Sequence, residues 1–297
     1  MRVFMKSQTV KGYIFAVLSA AIYGCMPLMA KYIYADGVNP ATLVFLRNVF
    51  SLIPLGVLAY RQNKTLKIQP SALPSISIIS LLGCSITPIL LFSSYQYIPS
   101  GTATVFHFTY PAMVVIAGLL FLKNRAKATN IIAVFLCVAG VCMFYTPGAP
   151  LDFTGSALAL FSGVTFAANV VMLSRFDKTK AKGFLFTFYV VIVSSIAMLV
   201  YCLVTNSLVL PSSLMGWGLC ILFSLLVTTG AVVLFQESAF LIGGERVSIL
   251  STLEPITSVI VGVVVFNEKL GLRVLIGVVL VLAASLLTAL YDIKKSK

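Results

Sequence analysis

Few residues in this chain could do chemistry. Four ionisable side chains lie inside long apolar runs: Arg47, His107, Glu237 and Glu254. An ionisable group at membrane depth costs at least ~2.5 kcal/mol on insertion scales, so each should face a cavity or a partner and not lipid. Glu254 is the strongest of the four. At helical spacing Ser251, Glu254 and Ser258 share one face. Pro255 follows directly and removes the hydrogen bond that its own N–H would give to the Ser251 carbonyl, an acceptor then able to point into a cavity. A second run presents His107 and Tyr110 ahead of Pro111. A carboxylate, an imidazole and a phenol converging on one spot would hold an amine or quaternary ammonium by charge, hydrogen bonding and cation–π attraction. For Glu254 a plainer reading stands beside cargo or proton contact: it stabilises a broken helix or gates a path. His107, the single histidine, suits either a proton-coupled step or hydrogen-bonded packing.

The elements that must hold these residues follow from composition. Of 297 residues 60% are apolar and 10% charged, and the mean hydropathy is +1.05; soluble domains carry about 25% charged residues. No aqueous fold hides so much apolar surface, which leaves an all-α polytopic membrane protein. Windows of about 20 apolar residues place ten spans near 12–33, 41–60, 75–97, 101–122, 129–146, 154–174, 183–204, 214–240, 246–266 and 272–291. The net charge of +13 raises nucleic acid as a partner until the charges are located. With the N-terminus inside, seventeen of the twenty-one Lys and Arg fall in cytoplasmic segments and only Lys31, Lys269 and Arg273 fall outside. The positive-inside rule therefore puts both termini in the cytoplasm. The basic residues serve as topology signals facing anionic lipid, and nucleic acid is excluded as a partner. None of the six cysteines has C-x-x-C spacing, which reads as small buried hydrophobes and not as disulfides or metal ligands. With no phosphate-binding glycine loop and one histidine, neither a cofactor nor a metal is expected, and the energy for any transport must come from a gradient.

The chain also matches itself. At an offset of 144 residues Ser80-Leu81-Leu82 falls on Ser224-Leu225-Leu226 and Pro111 on Pro255; at 143, Gly12, Ala16, Ser19 and Met29 fall on Gly155, Ala159, Ser162 and Met172. These matches divide the chain into repeats at 1–146 and 154–297 joined by 147–153. Five spans is an odd number, so the second repeat must enter the membrane inverted, an arrangement that puts a site near the midplane between the repeats. In this frame His107 and Tyr110 are the counterparts of Ser251 and Glu254, and Ser93 is the counterpart of Glu237. Glu237 is read as an inner-gate ion pair or a snorkelling side chain as readily as a substrate contact. Asn169 and Thr165 stack at i, i+4 toward Tyr23, a spacing for which helix–helix hydrogen bonding suffices. Tyr23 itself is a candidate cavity wall.

The stretch Ala20-Ala-Ile-Tyr-Gly24 followed by Lys31, Arg47 in the second span, and Leu253-Glu-Pro255 with Phe266-Asn-Glu-Lys-Leu-Gly271 together resemble the EamA-type members of the drug/metabolite transporter superfamily. That resemblance implies ten transmembrane helices as a 5+5 inverted repeat, with a central cavity lined mainly by helices 1, 3, 4, 6, 8 and 9. Two positions depart from the family pattern: Asn124 where an acidic residue usually ends the fourth helix, and Tyr23 where Trp is common. Arg47 is expected to pair structurally with backbone carbonyls or a carboxylate, as Pro111 and Pro255 are expected to break helices. The expectation is a secondary active transporter of the bacterial inner membrane, not an enzyme, exporting an amino acid or amine with protons as the coupling ion. Uptake of a choline-like cation is the alternative, and a lipid-modifying enzyme or a non-transporting scaffold is the alternative of another class. Small residues in spans 5 and 10 (Ala139, Gly140, Gly277, Ala283, Ala284) suit either a homodimer contact or packing within one chain.

Overall fold

The structure is a computed structural model of the chain and describes residues 2–110, 112–114, 128–143, 152–177, 179–181, 183–242, 247, 250–251, 253–266 and 271–295. Among these residues it is all-helical. The helices are α1 (Arg2–Ala35), α2 (Pro40–Asn63), α3 (Pro70–Ser94), α4 (Ser100–His107), α5 (Ala128–Cys142), α6 (Phe153–Ser174), α7 (Gly183–Val204), α8 (Leu214–Ile242), α9 (Leu253–Phe266) and α10 (Leu272–Lys295). Six of them, α1, α2, α3, α6, α7 and α8, are long and apolar enough to cross a membrane, and shorter apolar stretches lie at Ile256–Val265 and Leu275–Ala284. Pro111, Asn124, the Gly243-Gly244 pair and Glu268 lie outside the described residues, as do parts of the spans expected at 101–122, 129–146 and 246–266.

Local chemistry sets several helix ends. Asn39 caps α2 by accepting from the Thr42 N–H at 2.9 Å, and Pro40 supplies the pre-set φ of the first helical turn. Asp152 and Ser213 do the same for α6 and α8, accepting from Gly155 and Gly216. Lys64 closes α2 in the left-handed region at φ 58°. A polar clasp joins the α1–α2 turn to the α7–α8 connection: Asn39 Nδ2 and Thr42 Oγ1 donate to the Ser207 carbonyl, while Ser212 and Ser213 donate backbone N–H groups to Asp36. The Ser213 and Ser212 bonds hold the Asp36 carboxyl below the usual carboxylate range.

Packing runs between the two ends of the sequence. α1 lies against α8 and α9, and α6 lies against α3 and α4; α2 packs on α7, α5 on α10, and α4 on α9. In the last of these, Thr104 and Ser258 hydroxyls meet at 3.2 Å. Gly140 of α5 sits where a Cβ would come within 2.9 Å of the Gly277 carbonyl of α10, so the small residues there serve contact within the chain. The core gathers Met26, Ile33, Val44, Phe92, Phe106, Phe108, Tyr110 and Phe223. Ile53, Phe135, Phe153, Val204 and Leu214 are largely exposed on the outer surface, as lipid contact requires.

Two long helices are irregular. α3 widens into a π-helix at Leu81–Ile86 and α8 at Ser224–Ala231; such turns are rare and concentrate at functional sites. Pro88 cannot donate to the Cys84 carbonyl, which accepts instead from Asn48 Nδ2 (3.3 Å) and Ser194 Oγ (2.9 Å). Just before the two π segments, Ser80 Oγ donates to the Val190 carbonyl and Ser224 Oγ to the Arg47 carbonyl, each at 2.5 Å. The buried hydroxyls thus tie α3 to α7 and α8 to α2.

Candidate functional site

Close approach of α1 to α9 builds the first wall. A Cβ on Gly24 would lie 2.4 Å from the Thr257 side chain and 2.8 Å from the Glu254 carbonyl, so only glycine lets the helices meet. The contact sets Tyr23 beside the start of α9. Opposite, Gly163 of α6 allows a matching approach: a Cβ there would come within 2.9 Å of the His107 carbonyl. Between these contacts lies a cavity of about 460 Å³ whose lining includes Tyr23, Arg47, Gly83, His107, Phe166 and Glu254. That volume falls in the ordinary range for small-ligand sites.

His107 is held by Ser162, Nδ1 to Oγ 2.8 Å, and Ser162 donates its own proton to the Ala159 carbonyl at 2.6 Å. The serine oxygen is therefore left to accept, which places the imidazole proton on Nδ1 and leaves Nε2 as the acceptor. Phe166 packs 5.3 Å from the His107 ring. Arg47 is 3% exposed, with its guanidinium carbon 5.5 Å from the centre of the Phe92 ring. No described carboxylate pairs with it, and Nε lacks a hydrogen-bond partner. The expected pairing to a carbonyl or carboxylate is absent among the described residues; an aromatic face takes its place.

A second cavity of about 380 Å³ shares Tyr23, Gly83, Phe166 and Val232 with the first and extends toward Ile79, Phe235 and Gln236. Asn169 lines it. Its side chain packs on the π segment of α3, where a Cβ on Gly83 would meet it at 2.7 Å, and its Oδ1 has no hydrogen-bond partner. Thr165, one turn earlier, bonds Thr87 of α3 at 2.7 Å, the helix–helix bond its spacing predicts.

The other predicted residues stand off this wall. Tyr110 is buried behind His107, edge-on to Phe166 at 4.8 Å. Ser251 folds back on the Val247 carbonyl at 2.9 Å. Glu237 sits at the start of α7, its Oε1 3.1 Å from where a Gly183 Cβ would stand. Ser93 lies near the end of α3, its carbonyl accepting from Gln96. Neither is in the lining of either cavity. The Ser251 carbonyl, expected to be open because of Pro255, accepts from the Glu254 N–H at 2.9 Å. Pro255 stands in the first turn of α9, where its missing N–H costs nothing; the helix breaks before it and not at it. What the residue pattern missed is the pair of π segments and Gly83.

Apolar helices closed around a cavity that holds one guanidinium, one carboxyl group and one imidazole make a membrane carrier, because such groups are kept at membrane depth only for function. The chain belongs to the EamA-like transporter family, which matches it at residues 10–146 and 153–290. It is 21% identical to an uncharacterized transporter of Clostridium kluyveri over 93% of this chain and 92% of that one. It is 24% identical to the uncharacterized inner membrane transporter YicL of Salmonella typhimurium, over 97% and 98%. The pseudopaline exporter CntI of Pseudomonas aeruginosa is 22% identical over 79% and 82%. A solved crystal structure, 17% identical, superposes with a TM-score of 0.63 over 98% of this chain and 99% of that chain, so the fold is shared. The protein is a multi-pass membrane transporter.

Proposed function

We propose that the protein is a secondary active transporter that exports a small amino-acid or amine-type solute across the bacterial inner membrane by alternating access. The observation that carries this reading is the cavity itself, where Glu254 and Tyr23 from opposite ends of the chain meet His107 and Arg47. The architecture we assign is ten helices in two inverted repeats, 1–146 and 154–297, with both termini cytoplasmic. Three features support it: the family matches the chain twice, α1 bears the same relation to α8 and α9 as α6 bears to α3 and α4, and the Ser80 and Ser224 bonds form a matched pair across the two halves. In such folds rocking of one repeat against the other opens a central site to each side in turn. The second cavity then serves as the cytoplasmic approach, separated from the first by Tyr23 and Phe166. An exporter among the relatives supports the direction. Proton coupling falls to Glu254 or His107, the titratable groups that reach the cavity.

The test is Glu254→Gln in proteoliposomes with amine and amino-acid cargoes under an imposed proton gradient. Flux should be lost while insertion and melting temperature stay near those of the parent. Unaltered flux would show that no charge is needed there.

A further inference from the structure

Arg47 is the charge that packing does not explain. Its guanidinium has five N–H donors in a rigid fork, yet what it meets is the face of Phe92, and Nε bonds to nothing. Burial of a charge with no partner is strongly unfavourable, and replacement by an apolar residue of similar size is then neutral or stabilising. Its own backbone does not need the side chain. The Arg47 carbonyl is already bonded by Ser51 Oγ at 3.0 Å and Ser224 Oγ at 2.5 Å, which fixes α2 at that point. Glu254 lines the same cavity and does not neutralise it. Two opposite charges thus face one space of about 460 Å³ without closing on each other, and Tyr23, Phe92 and Phe166 supply apolar wall around them.

We propose that Arg47 is an anion-binding subsite of this cavity, receiving the carboxylate of a dipolar solute whose cationic end is held at Glu254. The proposal rests on the reading of the cavity as the cargo site and names the class of cargo. A planar guanidinium matches a carboxylate bidentately, which makes it a strong and geometrically selective acceptor of such a group. A purely cationic solute satisfies Glu254 but leaves Arg47 unpaired and is repelled by it, so the same residue selects against amines and choline-like cations.

The experiment compares two matched pairs, glycine betaine against choline and phenylalanine against phenethylamine, in which the cation is kept and the carboxylate is removed. Binding is read by thermal stabilisation of the detergent-purified protein, and transport by flux in proteoliposomes, for the parent, Arg47→Gln and Arg47→Lys. The parent should favour the carboxylate-bearing member by about tenfold or more, the worth of one charge-assisted hydrogen bond. Arg47→Gln should remove that preference, and Arg47→Lys should keep part of it. Without ligand, Arg47→Gln should melt no lower than the parent, since no internal partner is lost. An unchanged preference in Arg47→Gln overturns the proposal, and so does a variant that unfolds, because an internal partner must then exist. Where Glu254→Gln abolishes flux yet the preference ignores Arg47, the transporter reading stands and only the subsite falls. A parent protein that takes neither member of either pair overturns both.

Discussion

The π segments of α3 and α8 follow the same serine-leucine-leucine signature and are anchored to the same helix pair, α2 and α7, yet they are put to different use. Leu81–Ile86 turns Gly83 toward both cavities and presses it on Asn169. Ser224–Ala231 faces α1 and α2, where Ser224 bonds the Arg47 carbonyl and Thr229 bonds Ser51 at 3.1 Å. One irregular turn shapes the space for cargo; the other fixes the backbone from which the buried guanidinium reaches. A pair of like elements in a carrier need not share a task. The site takes one charged side chain, Glu254, from the second half of the chain, and Arg47 with His107 from the first.

Substitution at the cavity-facing turn should break this comparison most visibly. Gly83→Ala should cut flux by more than tenfold and destabilise the protein by about 1–3 kcal/mol, the range for overpacking a filled site. Adding Asn169→Ala should restore much of the stability, since the Asn169 side chain is what the new methyl group meets; a double-mutant cycle by chemical unfolding checks the coupling. A smaller effect is expected at the anchoring serines. Ser224→Ala removes a donor with two partners and should cost about 1–2 kcal/mol, while Ser80→Ala should cost about 1 kcal/mol. Only Ser224→Ala should also weaken the preference for carboxylate-bearing solutes, because Ser80 holds Val190 and not Arg47. The least effect belongs to the clasp that links the α1–α2 turn to α8. Asp36 has its folded pKa depressed by bonds from Ser213 and Ser212, so its contribution is present above the unfolded value of about 3.9 and is lost as pH falls below it. Asp36→Asn should flatten that acid-side loss of melting temperature and leave stability at pH 7 slightly lower.

Hydropathy alone locates the helices at 41–60, 75–97, 154–174, 183–204 and 214–240 within a few residues of where they lie, since apolar length is what a bilayer selects. The ionisable residues point to the cavity for the same energetic reason, and Tyr23, His107 and Glu254 do line it. Helical spacing failed where the helix itself stops. Phe108 and Thr109 form a turn after His107, and Ser251 lies in a turn before α9. Residues on the two sides of such a break no longer share a face, so Tyr110 and Ser251 leave the wall although their spacing from His107 and Glu254 fits a continuous helix. Arg47 was visible as a charge, but its environment was not, because what distinguishes a paired arginine from an unpaired one lies on other helices. The π segments leave no periodic signal at all: one extra residue in a turn is invisible in a pattern of apolar side chains.

That extra residue gives α3 an unusual sensitivity to chain length. A regular helix turns about 100° per residue, so deleting one residue between Leu81 and Ile86 would let the segment relax into ordinary α-helix and rotate everything beyond it. Thr87 would leave Thr165, and Leu91 and Phe92 would swing away from the cavity they now line. The identity of the outer wall is therefore stored in a count of residues as much as in their types. Single-residue deletions here should do more harm than any conservative exchange at the same positions.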